Sequence, residues 1–256
     1  MSIALGDDMN ETFEHAHDAT SIKSRIKSST GYSYLRDFVY GAIDGTVTTF
    51  AVVSSIAGAG LNPEIVIVLG VANLLGDGFS MAASNYLGTR TDEQLREKAR
   101  EMERRHIRLI PEGEREEVRQ IFAEKGFAGD DLERVVEIIT SNEKRWIDTM
   151  LVEELGLSLN GPNPFKAAAT TFVAFLIVGF LPLLAYLFGL IQPVESTWLF
   201  LISSVMTGVA FFLVGTTKAY FVDQKWYWAG IETLGFGAAA AGLAYLVGRL
   251  LKGVIA

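Results

Sequence analysis

Five stretches of the 256-residue chain are apolar on every helical face and almost free of charge: about Phe38–Leu61, Ile65–Gly88, Ala167–Leu190, Thr197–Thr217 and Ile231–Leu251. A helix needs roughly 20 mostly apolar residues to cross a hydrocarbon layer of about 30 Å, where backbone groups find no water and must bond to one another. All five meet that length. The pattern therefore predicts an all-α, polytopic membrane protein with five transmembrane helices. Between the first two stretches only Asn62–Glu64 intervene, Pro63 among them, and so short a connection predicts an antiparallel helix hairpin. Pro182 falls inside the third stretch and predicts a kink there.

The polar positions are gathered as sharply as the apolar ones. Of 22 Lys and Arg, 14 lie between Arg90 and Lys166, together with 18 of the 30 carboxylates, so a charged insert separates helices 2 and 3. Helix-forming residues continue without a break from the second span through Leu87–Met102, which predicts a stalk emerging from the membrane. Pro111 and Gly113 stop it, Glu114–Glu124 reads as a further helix closed by Gly126, and Asp130–Leu155 as one or two more ended by Gly156. The core candidates of this small helical domain are Ile107, Val118, Phe122, Leu132, Val135, Val136, Ile138, Ile139, Trp146 and Leu151. That core is thin, so packing against a second copy or bound metal is expected to add stability.

Basic residues favour the cytoplasmic side of a membrane. With the N-terminus inside, 20 of the 22 basic residues share that side and only Arg249 and Lys252 lie outside. The resulting plan is a mobile cytoplasmic tail over 1–33, transmembrane helices 1 and 2 within 34–88, a cytoplasmic helical metal-binding insert over 89–164, and transmembrane helices 3 to 5 within 165–256. The first 30 residues are polar and lack an apolar core of signal-peptide type, so no cleaved leader is expected.

Composition narrows the chemistry. The chain has no cysteine, which leaves oxygen, imidazole and thioether groups as metal donors. A net charge of −8 suits cations and argues against a nucleic-acid partner. The spans carry no Ser/His or His-rich catalytic set, so an enzyme is not expected, nor is a prosthetic cofactor.

Ionisable residues inside a span cost about 2.5–3.5 kcal/mol each on insertion scales and point to function. Asp44 and Asp77 are such residues. Counted from the expected cytoplasmic helix ends at 1.5 Å per residue, Asp44 lies roughly 9 Å deep, Met81 roughly 10 Å and Asp77 roughly 16 Å. On that count Asp44 and Met81 are level across the hairpin, with Asp77 one turn deeper near Thr48. Asn73, Asp77, Met81 and Asn85 recur every four residues and form one polar stripe. Two carboxylates beside a thioether suit Fe²⁺ or Mn²⁺, and either acid can exchange a proton for the ion. The plainer alternative is that both acids bond neighbouring backbone at a kink.

In the insert, Glu103 with His106 and Glu114 with Glu117 are spaced i,i+3, and Met150 stands i,i+3 and i,i+4 from Glu153 and Glu154. Each set projects from one helix face, and three converging sets would hold a divalent metal. Spacing alone equally describes a solvated acidic face. Glu14, His15, His17 and Asp18 in the tail read as incidental to a disordered segment.

The stretch from Arg36-Asp37-Phe38-Val39-Tyr40-Gly41-Ala42-Ile43-Asp44-Gly45-Thr46 through Val53 resembles the first-span motif of vacuolar iron transporters, and Asp77-Gly78-Phe79-Ser80-Met81-Ala82-Ala83-Ser84-Asn85-Tyr86-Leu87 resembles their second. The likeness extends over about residues 34–251 and includes the acidic insert, the Glu154–Leu157 run and a small-residue fifth span. It implies a five-span protomer acting as a homodimer, with the first spans of two copies lining a central pathway. It further implies proton-driven export of Fe²⁺, and in several members Mn²⁺, from the cytoplasm across a vacuolar or bacterial cell membrane. Carried over by position, Asp44 and Met81 match pathway residues and Asp77 lies in the second motif. Glu103, Glu114, Glu117, Met150 and Glu154 match metal-binding positions, with Glu153 adjacent. The family's second glutamate falls on His106, which can ligate as neutral imidazole and carries one negative charge fewer. A membrane-anchored metal buffer or sensor is the alternative from a different class, and the intramembrane acids favour transport over it.

Overall fold

The computed structural model describes residues 18–28, 32–221 and 224–255. Among them lie ten helices and no strand. The chain divides into two units, residues 1–33 and 34–256. In the first, α1 (Ala19–Ser28) is helical, within the segment expected to be a tail. Asp18 caps it: its Oδ1 accepts from the backbone N–H groups of Thr20 at 3.1 Å and Ser21 at 3.0 Å, satisfying donors that a helix start leaves open. Glu14, His15 and His17 lie outside the described residues.

The second unit runs α2 (Leu35–Ala59), α3 (Pro63–Leu109), α4 (Pro111–Glu124), α5 (Gly129–Thr140), α6 (Glu143–Glu153), α7 (Pro164–Gly179), α8 (Leu181–Ile191), α9 (Ser196–Phe221) and α10 (Trp226–Ile255). By length and composition α2, α3, α9 and α10 can each cross a membrane, and α7 with α8 form a pair bent by 44° that passes the same test together. Pro182 lies in the first turn of α8, where its ring and missing N–H interrupt the hydrogen-bond ladder. Its own carbonyl is satisfied from α9, where the Ser203 hydroxyl donates to it at 2.7 Å.

Helix α2 is the centre of the bundle, packed against α7, α10, α3 and α9. Its glycines permit backbone contact: a Cβ on Gly45 would lie 2.5 Å from the Phe175 carbonyl of α7, and one on Gly41 2.2 Å from that of Thr171. Of the other small residues in the spans, Gly237 faces the Phe211 ring, whereas Gly76, Gly235 and Gly242 meet nothing within 4 Å. The apolar floor is formed by Phe50, Val53, Ile56, Val66, Leu74, Phe175 and Leu183, with Met81 at its edge.

Helix α3 is 47 residues long, about 70 Å at 1.5 Å per residue. That is long enough for a span with a stalk beyond it. Against its distal half pack α6 and α4, and α5 closes on those two, around Val118, Val136, Ile139, Trp146 and Met150 in one cluster and Ala99, Ile147 and Leu151 in another. Ile138, expected in this core, is 47% exposed. Leu132, Val135, Val136 and Ile139 define the inward face of α5, and the helical period turns residue 138 away from it.

Candidate metal centre and membrane acids

The insert site is made by a helix break. Pro111 cannot continue α3, and Ile110 leaves helical geometry at φ −138° and ψ 56° before Pro111 opens α4; proline is tolerated there because the first turn has no N–H acceptor in any case. The break returns the first turn of α4 to the last turns of α3. Glu103 and His106, one turn apart on α3, thereby meet Glu114, and one ligand atom from each lies within 4.8 Å of the others. His106 Nδ1 stands 3.3 Å from Glu114 Oε1.

Both carboxyl groups are almost fully buried, Glu103 1% and Glu114 2% exposed. Each has an Oε2 atom with no hydrogen-bond partner, an unsatisfied state that buried polar atoms rarely occupy. Burial pushes Glu103 up to about 7, reinforced by the charges of Glu114, Glu154 and Glu117 and by the hydrogen bond its proton makes to Glu114. Glu114 is raised by burial and then by Glu117, against the pull of His106, and Glu154 is raised by the same two causes. Four carboxyl groups thus crowd one imidazole, an arrangement that a divalent cation relieves.

Met150 is fully buried beside Val118, one turn after Glu114, and shares its helix face with Glu154 four residues on. Glu117 and Glu154 are exposed and reach the group by charge from its rim. Glu153 is engaged elsewhere, in an ion pair with Lys125.

Within the bundle, Asp44 is half-buried on α2 and Asp77 is exposed on α3. Their register differs from the count made along the sequence. Asn85 Nδ2 donates at 2.8 Å to Asp37 Oδ1, which ties position 37 to position 85. From there Asp44 is seven residues on and Asp77 eight residues back, roughly 10 Å and 12 Å, whereas Met81 is only about 6 Å away. Counted from that tie, Asp77 falls within about 2 Å of the level of Asp44 and Met81 about 5 Å short of it. Thr48 takes no part across the hairpin; its hydroxyl donates to the Asp44 backbone carbonyl at 2.9 Å.

The polar stripe on α3 is also divided. Asn85 Nδ2 donates to Thr171 Oγ1 at 2.8 Å as well as to Asp37, the Thr171 hydroxyl donates to the Asp37 carbonyl at 3.3 Å, and Asn73 keeps a buried Nδ2 without a partner. Asp37 is 5% exposed with its Oδ2 unpartnered. Sequence reasoning passed over it, since an acid in a first helical turn is ordinary; the only signal was its matched position opposite Asn85.

Residues 35–249 match the VIT family. A vacuolar iron transporter of Toxoplasma gondii is 33% identical to this chain, covering 89% of it and 78% of the relative. One of Plasmodium berghei is 31% identical over 93% and 89%, and vacuolar iron transporter 1 of Arabidopsis thaliana is 29% identical over 88% and 89%.

Proposed function

Because the chain belongs to the VIT family, we propose that it is an integral membrane transporter carrying Fe²⁺, and Mn²⁺ second, out of the cytoplasm in exchange for protons. Its named relatives are vacuolar iron transporters, and its apolar helices suit a vacuolar-type or cell membrane. The bent α7–α8 pair counts as one span, making five; residues 89–164 and the N-terminus face the cytoplasm, and two copies form the working unit. The observation that carries the reading is the insert cluster. Glu103 and Glu114 hold two buried oxygens without partners beside His106, a cost that burial alone does not repay and that a divalent cation offsets.

In this reading Glu103, His106, Glu114, Glu117, Met150 and Glu154 collect the ion, and the stalk carries the collecting domain on the same helix as Asp77 and Met81. Asp44 and Asp77 receive the ion at one level within the membrane. A carboxylate there either holds the cation or takes up a proton, so exchange of one for the other resets the pair. No prosthetic group is needed.

The test is flux. Purified protein in liposomes, given Fe²⁺ under an imposed pH gradient, accumulates the ion, and D44N slows it at least about tenfold, equivalent to roughly 1.4 kcal/mol on the barrier. Equal flux in D44N removes Asp44 from the pathway. A parent that binds metal and passes none is a membrane-anchored buffer or sensor.

A further inference from the structure

Of the three groups whose ligand atoms converge in the insert, two offer oxygen and one offers nitrogen. We propose that His106 sets the metal preference of the insert, its imidazole biasing the site toward Fe²⁺, Co²⁺ and Zn²⁺ and against Mn²⁺, Mg²⁺ and Ca²⁺. The inference rests on the reading of the insert as the collecting site and goes beyond it to selectivity.

The placement is specific. His106 lies one turn beyond Glu103 on the same face of α3, and the nitrogen turned toward the carboxyl groups is Nδ1, 3.3 Å from Glu114 Oε1. Nδ1 is therefore the ring nitrogen placed to ligate, and a metal held there would leave the ring proton on Nε2. The side chain is 36% exposed while that of Glu114 is 3% exposed, so the ring reaches in from the rim above a carboxylate floor. Two oxygens on that floor have no partner within the protein, and the buried Met150 thioether lies next to Val118 in the adjoining cluster.

A donor set of two carboxylates and an imidazole is not neutral among divalent ions. Magnesium, calcium and manganese favour oxygen, whereas imidazole suits iron, nickel, copper and zinc, and affinity at mixed nitrogen–oxygen sites rises from Mn²⁺ through Fe²⁺ to Co²⁺. A neutral ring also adds no negative charge, and the hard cations depend most on charge. Both effects act in the same direction.

The full-length protein in detergent, stripped of metal, is titrated with Co²⁺ and with Mn²⁺. The expected result is a Co²⁺-over-Mn²⁺ affinity ratio that falls about tenfold in H106E, where oxygen replaces nitrogen. Pulsed electron paramagnetic resonance of the Mn²⁺-loaded parent shows modulation from a coordinated imidazole nitrogen, which needs no variant and disappears in H106E. An E103Q/E114Q double variant identifies the insert's share of the binding by losing it. An unchanged ratio in H106E overturns the inference even where nitrogen is seen, and a parent without the nitrogen signal overturns it also. If the double variant binds both ions as the parent does, the collecting site itself is refuted, and the selectivity inference with it.

Discussion

In the proposed reading Glu103 is the residue on which the insert turns, because there its proton and the cation compete for one pocket. Its ordinary value is 4.5, and burial with its acidic neighbours raises it to about 7. The unfolded chain releases that proton above about 4.5 while the folded chain keeps it, so the folded state binds more protons between the two values. The stability this contributes is full below about pH 4.5 and is lost as pH rises through about 7. Thermal unfolding of the metal-free protein should therefore fall in temperature between about pH 5 and pH 8, and E103Q, neutral throughout, should flatten that dependence; an unaltered slope in E103Q would show that other groups carry it. Neighbouring residues show what spacing could and could not reveal. The i,i+3 pair of Glu103 and His106 was legible because α3 is long and regular. Glu153 and Glu154 were not separable, since adjacent residues sit about 100° apart on a helix and only the fold's choice of Lys125 as the partner of Glu153 decides which one faces the site.

At the scale of helices, apolar runs and punctuation were enough to make α3 one long continuous helix, to put a bend at Pro182, and to break the following segment at Pro111, Gly126 and Gly156. The register between helices was not legible, because it depends on which small residues let backbones touch. Gly41 and Gly45 bring α2 onto the backbone of α7, and that approach leaves Asp37, Asn85 and Thr171 in one hydrogen-bonded knot across three helices. Adding a single methyl group tests the contact. Gly45→Ala places a Cβ 2.5 Å from the Phe175 carbonyl, backbone that cannot give way as a side chain would, and is expected to cost about 1–3 kcal/mol. Gly235→Ala on α10, with open space around it, is expected to stay within about 0.5 kcal/mol of the parent. Unfolding in detergent compares the two, and equal effects would mean that α2 and α7 do not depend on that approach.

The whole molecule must reconcile an exposed acid with lipid. Asp77 is exposed on α3, and a charge facing hydrocarbon costs about 2.5–3.5 kcal/mol even on the lenient scales. On the same helix face Ser80 and Ser84 are also exposed, whereas the exposed Leu75 and Phe79, two positions either side of Asp77, lie about 160° round the helix. A strip that combines a carboxylate with two hydroxyls does not suit lipid. In the proposed dimer a second copy would resolve the conflict, with this strip of α3 facing its counterpart across a twofold axis and the Asp77 carboxylates turned toward a shared, hydrated centre. Helix α10 offers the contrast: Phe236 and Leu243 are as exposed, and the acid one turn before Phe236, Glu232, is paired with Lys218 at 3.5 Å. The absence of cysteine makes the arrangement directly measurable, because a single introduced thiol has no competitor. In native membranes under mild oxidation, S80C and S84C should each yield a covalent dimer that a reductant dissolves, while F236C and L243C remain monomeric on the same gel. Cross-linking through α10 and not through α3 would move the twofold axis to the far side of the bundle and leave Asp77 without a hydrated partner, and the transport pathway would then have to run through a single chain.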